Sequence, residues 1–324
     1  QGKLDDALEA CKKAILYKPN SELAYNNMGA ILKDQVKFQE AVLAYKKAIL
    51  LKPDYADAYS NMGVALKNLN KLDDALEAFK KSISLKPDSE LYHNNIGNTL
   101  KDLGKLNEAI QAYKKAISLK PDFATAHKNL SFAYLNKGDL KKGFEEYQWR
   151  WKTTEFLSQK RNFIKPMWDG KQSLIGKKIL VWYEQGIGDT IMWSSGLSLI
   201  ASRARHTILE CQDKLIPLLK RSFPNVEVKG EDRTMDLERD DIDFHLPMGN
   251  IYKNFSQEIS NNVKVENYLI PDPVRVKFWE KRLKSLGNGP YVGISWKSGD
   301  MSNARLPNYC KITELYPILN IHDV

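Results

Sequence analysis

The chain has 324 residues, room for two domains, and a formal net charge of +9 from 49 Lys+Arg against 40 Asp+Glu. The excess invites a nucleic-acid reading. We set it aside, because no arginine precedes Arg150 and the aromatics of the first half recur at apolar positions, not beside a basic face. Cys11, Cys211 and Cys310 form no paired motif, the histidines show no metal-ligand spacing, and no apolar run reaches membrane-spanning length. No disulfide framework, metal site or membrane span is therefore expected, and a cytoplasmic location is.

In chain order, Pro19, Pro53, Pro87 and Pro121 come first, each 34 residues after the last. Aligned on them, Gly29, Gly63 and Gly97 coincide, as do Ala7, Ala41, Ala75 and Ala109. One aromatic slot holds Tyr45, Phe79 and Tyr113; another holds Tyr25 and Tyr59, then His93 and His127. A fixed period of this length means a stack of helix pairs that bury a continuous core and leave a curved groove. The first complete pair is expected over about 21–34 and 37–51, with proline ending each second helix. Gln1–Pro19 fits only a second helix. The small residues mark where helices touch. The paired lysines 12–13, 46–47, 80–81 and 114–115 read as solvated faces. From about Asp122 the unit decays: Ser131 replaces the glycine and Gly143 the alanine. Tyr147, Trp149 and Trp151 follow, which predicts a cap or a docking seam to a second domain.

The pattern resembles the tetratricopeptide repeat, and residues 1–157 are assigned to such an array. Asn27, Asn61, Asn95 and Asn129 repeat as strictly as the core, on the first helix of each pair. Two roles stay open. An amide that donates and accepts suits the backbone of an extended peptide; equally, asparagine suits helix packing or a local cap. The spacing is similar to the asparagine ladder of the O-GlcNAc transferase superhelix, and that resemblance implies a protein or peptide partner in the groove.

After about residue 158 the period breaks. Lys178–Tyr183 reads as a buried strand, Glu184–Asp189 (EQGIGD) as a glycine turn and Thr190–Arg203 as a helix. His206–Cys211, Val226–Val228 and Asp243–Leu246 read as further strands, with a helix over Asp213–Arg221. Lys277–Leu286 reads as a helix and Tyr291–Trp296 as a strand. The alternation predicts a doubly wound α/β domain over 158–288. Ligands of such sheets bind beyond the carboxyl ends of the strands, where EQGIGD lies. A dinucleotide fingerprint is disfavoured, because Ile191 stands where the third glycine belongs and Asp189 puts a carboxylate where a phosphate would sit. Asp189 is left with two roles: a helix N-cap, or a cleft carboxylate that orients or deprotonates an acceptor hydroxyl.

Pro166–Gly170 (PMWDG), Leu174–Lys177 (LIGK) and Val181–Thr190 (VWYEQGIGDT) together resemble bacterial proteins that join tetratricopeptide repeats to a GT-B glycosyltransferase domain. The catalytic part of these is similar to the heptosyltransferases, and their plan to O-GlcNAc transferase. The resemblance implies sugar transfer from a nucleotide-sugar donor, with no other cofactor and no required metal, to a protein or glycan hydroxyl presented by the repeats. It makes Asp189 the catalytic base, with Glu184, Gln185, Gly186 and Gly188 forming the acceptor loop. Gly293–Gly299 (GISWKSG) resembles the opening of the donor domain, with Ser295 and Lys297 toward the donor phosphates; for Lys297 a plain surface lysine remains the alternative. That domain, 289–324, is only begun, so a fragment that does not transfer sugar by itself is expected. The competing expectation is a non-catalytic protein-binding scaffold with a degenerate α/β part.

Overall fold

The computed structural model describes residues 2–157, 159–236, 239–261 and 268–287. The strand expected over Tyr291–Trp296, Ser295, Lys297 and Cys310 lie outside the described residues. The chain divides into two compact units, Gln1–Ile216 with Asn225–Glu266, and Pro217–Pro224 with Asn267–Val324.

In the first unit, α1 (Gly2–Tyr17) precedes the pairs α2 (Glu22–Asp34) and α3 (Phe38–Leu51), α4 (Ala56–Asn68) and α5 (Leu72–Leu85), and α6 (Glu90–Asp102) and α7 (Leu106–Leu119). A last pair, α8 (Ala124–Asn136) and α9 (Leu140–Glu146), runs into a 3-10 turn over Tyr147–Lys152 and a short α10 (Thr154–Leu157). Lys52, Lys86 and Lys120 close their helices just before a proline, with ψ of 91°, 84° and 92°. Proline forces that extended ψ on its predecessor, which ends each second helix on time. The glycines are packing devices. A Cβ at Gly29, Gly63 or Gly97 would stand 2.6, 2.8 and 2.6 Å from the rings of Tyr45, Phe79 and Tyr113, which are fully buried. Overpacking of this kind costs about 1–3 kcal/mol. Ala41, Ala75 and Ala109 are fully buried beside them, and the eight paired lysines are exposed.

A further repeated slot became visible in the backbone. Val36, Asn70, Gly104 and Gly138 all have left-handed φ, at 65°, 58°, 74° and 85°. Each leads into a bond closing the turn between paired helices: Lys37, Lys71, Lys105 and Asp139 N–H donate to the carbonyls of Leu32, Leu66, Leu100 and Tyr134 at 2.8–3.0 Å. Glycine and asparagine adopt this conformation readily; valine bears a penalty of roughly 1–2 kcal/mol there. His93 and His127 share their slot for a reason too, since each sets Nε2 against the proline carbonyl six residues back, at 2.9 and 3.0 Å.

The first unit continues with a four-stranded parallel sheet, order β3-β2-β1-β4. Its elements are β1 (Lys178–Trp182), α11 (Ile187–Ser194), α12 (Leu197–Ala201), β2 (His206–Cys211), α13 (Ile216–Ser222, shared with the second unit), β3 (Glu227–Gly230), β4 (Phe244–Pro247) and α14 (Gly249–Asn261). In register, Leu180 lies opposite Ile208 on β2 and His245 on β4. The inner strand β1 is an apolar run buried from Ile179 to Trp182, as a strand covered on both faces must be. The single helix expected over Thr190–Arg203 is corrected to two, α11 and α12, broken at Ser195–Gly196. Gly196 faces Ile251 of α14, whose Cγ2 would be 2.6 Å from a Cβ there.

The link from array to sheet is pinned by charge. Arg161 is buried and donates to Glu210 of β2 at 2.6 Å and to Asp236; Arg239 meets the other Glu210 oxygen at 2.7 Å. In the second unit, α15 (Pro273–Lys284) starts four residues before the expected helix, because Asp272 caps it, accepting from Val274 and Arg275 N–H at 2.9 and 3.1 Å, with proline at its first position. Among the described residues no helix is long and apolar enough to cross a membrane.

Candidate functional site

The loop after β1 meets the end of the helical array. Glu184, 3% exposed, points away from solvent and receives both arms of Arg150, which is fully buried: Nε to Oε2 at 2.7 Å and NH2 to Oε1 at 2.9 Å. Arg150 also reaches the Asn250 side chain at 2.8 Å and the Tyr147 carbonyl at 3.1 Å. Its guanidinium lies 4.4 Å from the ring centroids of both Tyr147 and Trp151. The first N–H of α14, at Gly249, donates to Glu184 Oε1 at 2.8 Å. One buried pair therefore joins the 3-10 turn, the β1 loop and α14. Glu184, expected to line an acceptor loop, is buried and fully paired at this junction. Trp149 stacks on His127 at 3.8 Å, and Trp151 packs on Trp182 of β1 at 5.8 Å, so the aromatic cluster forms a seam between array and sheet.

The N-cap of α11 is Gly186, with no side-chain cap; Asp189 sits in the first turn, which corrects the capping alternative for it. Asp189 still complements the helix dipole there. Gly186 has φ −71°, and a Cβ at Gly188 would meet nothing within 4 Å. Neither glycine is required by a left-handed turn or by crowding. What they leave is open space in front of the helix.

Asp189 lines a cavity of about 400 Å³, with α8 and α9 on one side and Gln185, α11 and Tyr252 of α14 on the other. Tyr147, Trp193 and Phe144 are buried in its wall, with Phe132 and Met192 exposed at its rim. Tyr147 and Trp193 meet edge-on at 6.0 Å, and Phe144 and Tyr252 stack at 5.1 Å. Asp189 is the one charged residue of this lining, and among the described residues its carboxylate accepts no hydrogen bond and joins no ion pair. The Gln185 amide donates to the Tyr147 hydroxyl. Burial pushes the Tyr147 phenol up, so it stays protonated. Among the described residues no group of three or more His, Cys, Asp or Glu is placed to hold a metal ion.

The asparagines form a second candidate surface. Asn27 is exposed and Asn61, Asn95 and Asn129 are half-buried. Three of them reach back one repeat: Asn61 Nδ2 donates to Asn26 Oδ1 at 3.1 Å, Asn95 to Ser60 Oγ at 3.5 Å and Asn129 to Asn94 Oδ1 at 2.9 Å. The packing role is thus present. It uses one N–H of each amide and leaves the second N–H and the carbonyl oxygen. Sequence reasoning missed the acceptors Asn26, Ser60 and Asn94, although they recur at the same 34-residue period and are buried. Ser295 and Lys297 lie outside the described residues.

Comparison with known proteins supports the repeats. Residues 31–70 and 97–138 match the TPR repeat model and residues 56–89 the tetratricopeptide repeat model, so the chain carries tetratricopeptide repeats. Protein FlbA of Caulobacter vibrioides is 30% identical over 196 residues, 55% of this chain and 32% of FlbA, so the match spans about a third of that relative's length. Among solved structures, the crystal structure of MamA is 26% identical, covering 49% of this chain and 93% of that one, with a TM-score of 0.44. YrrB, described as a TPR protein with an unusual peptide-binding site, is 21% identical, covering 46% and 77%, with a TM-score of 0.41.

Proposed function

We propose that the chain is a protein-binding scaffold whose repeats hold an extended segment of a partner along the asparagine face. The carrying observation is the row Asn27, Asn61, Asn95 and Asn129, in which the last three amides are tied and keep spare bonding capacity in fixed orientation. An amide already held by its neighbour loses little freedom on binding, which favours affinity. The test must separate the groove from the tie. Asn61→Ala with Asn95→Ala removes both; Asn26→Ala removes the tie and leaves the Asn61 amide in place. Against an array of short immobilised peptides of random sequence, the double variant is expected to bind at least about tenfold more weakly, with Asn26→Ala, which loses only the pre-orientation of one amide, weaker by about threefold or less. Equal losses in the two would reduce the asparagines to packing.

A second reading is favoured by Asp189, whose carboxylate is unpartnered on a cavity wall beyond the carboxyl end of β1. Here residues 158–288 are the acceptor-side domain of a GT-B glycosyltransferase, 289–324 begin the donor domain, and Asp189 orients or deprotonates an acceptor hydroxyl. The strand order β3-β2-β1-β4 agrees with the first four positions of a doubly wound sheet. Ser295 and Lys297 would meet the donor phosphates. Under this reading, transfer from a nucleotide-sugar by a chain completed with a donor domain drops by about a hundredfold or more in Asp189→Ala. Undiminished transfer in that variant removes Asp189 from the chemistry.

A further inference from the structure

The cavity beside Asp189 is built for a particular chemistry, apart from whether sugar is transferred. Its walls are aromatic and aliphatic: Phe132, Phe144, Tyr147, Trp193 and Tyr252, with Leu135, Leu140 and Met192. Aromatic faces carry negative charge density and attract cations. The one formal charge in the lining is the Asp189 carboxylate, which has no partner among the described residues. An anionic ligand would meet both repulsions. A neutral apolar ligand would fill the walls and leave the carboxylate unpaired. A cation on an apolar stem satisfies both. The volume, about 400 Å³, lies at the small end of the roughly 300–1,000 Å³ range of ligand sites.

The same seam already holds one such arrangement. Arg150 sits between the Tyr147 and Trp151 rings at 4.4 Å and pairs with Glu184. That internal site is complete; the one at Asp189 has rings and carboxylate but no cation among its lining residues. It also continues the asparagine face, since Asn129 and Phe132 on α8 are three residues apart, hence on one helix face, and Phe132 forms the rim.

We infer that the cavity between α8, α9, α11 and α14 binds an alkylammonium or alkylguanidinium group, the chemistry of a lysine or arginine side chain. In a peptide lying along the groove this gives an anchor for one basic residue at the end of the array. A carboxylate so paired takes no proton from a hydroxyl, so the inference and the sugar-transfer role of Asp189 exclude each other while the cation is bound.

The test is calorimetric titration of the full chain with N-acetyl-lysine methylamide, with n-butylammonium, and with neutral N-acetyl-norleucine methylamide. Saturable binding of the cationic probes is expected, at least about tenfold tighter than norleucine. Asp189→Asn is expected to abolish that preference and to lower Tm by no more than about 3 °C, through the loss of its helix-dipole contact, while Phe132→Ala weakens all three probes. The lysine probe binding tighter than n-butylammonium identifies a peptide side chain as the source; equal affinities identify a free amine. No saturable binding, equal affinity for norleucine, or an undiminished preference in Asp189→Asn overturns the inference. A cavity without cation selectivity on a chain that binds peptides would sink this inference alone, and a cation-selective cavity on a chain that binds no peptide would sink the groove reading alone.

Discussion

Arg150→Ala is expected to lower the unfolding free energy by about 3–5 kcal/mol, the cost of leaving a buried charge without its partner. Glu184 would keep only the Gly249 N–H bond among those it accepts in the parent. The guanidinium would also vacate its place between Tyr147 and Trp151, adding a packing loss. The size of the loss reports the abandoned charge, not the worth of the pair. Arg150→Met combined with Glu184→Leu, which removes both charges and keeps apolar volume, is therefore expected to recover most of the loss. Urea titration of the parent, Arg150→Met, Glu184→Leu and the double variant closes the cycle, with Arg150→Ala measured beside them. A loss under about 1 kcal/mol in Arg150→Ala would mean that water reaches Glu184 and the seam is not dry.

Stability is expected to fall as pH drops from 6.5 toward 4, and His245 accounts for part of it. Burial first, then the nearby Arg161 cation, hold this imidazole from its ordinary 6.5 down to about 4, against a smaller opposing pull from Asp236. The Trp182 indole N–H donates to its Nδ1 at 3.2 Å, and Phe163 stacks on it at 4.3 Å, both of which suit a neutral ring. Above 6.5 neither the folded nor the unfolded state holds the proton, and the contribution is intact. Between 6.5 and 4 the unfolded chain binds it and the folded chain does not, so stability drains toward low pH, by roughly 3 kcal/mol at the acid end. His245→Gln keeps an acceptor for the indole but no titrating group. Its stability should fall less steeply across this window than the parent's, measured by urea midpoints at stepped pH. Parallel curves would remove His245 as the cause.

Much of the array was legible because its signals are local. A proline every 34 residues stops a helix by chemistry contained in two neighbouring residues, whatever surrounds them. The glycine–aromatic contacts Gly29–Tyr45, Gly63–Phe79 and Gly97–Tyr113 could be anticipated from a shared period. The strands β1 and β2 were legible as short apolar runs. The helix α14 was not anticipated, because Gly249 opens it with no side-chain cap signal and its start is stabilised by Glu184, 65 residues earlier. The left-handed slot was hidden at Val36, where a residue unsuited to that φ is held by the 37-to-32 bond and the packing of both helices.

The sequence by itself determined the repeat, its period, the alternation of strands and helices after it, and the identity of Asp189 as a residue of interest. Each is carried by residues close in the chain, where propensity and steric rules act without help. Only the tertiary structure decided what Glu184, Gly186 and the asparagines do. Glu184 became a buried partner of Arg150, 34 residues away. Gly186, not Asp189, capped α11. Asn61, Asn95 and Asn129 tied each repeat to the one before. These roles depend on which polar groups are brought together out of water, and a charge or amide takes the partner that burial forces on it, which one-dimensional spacing does not encode.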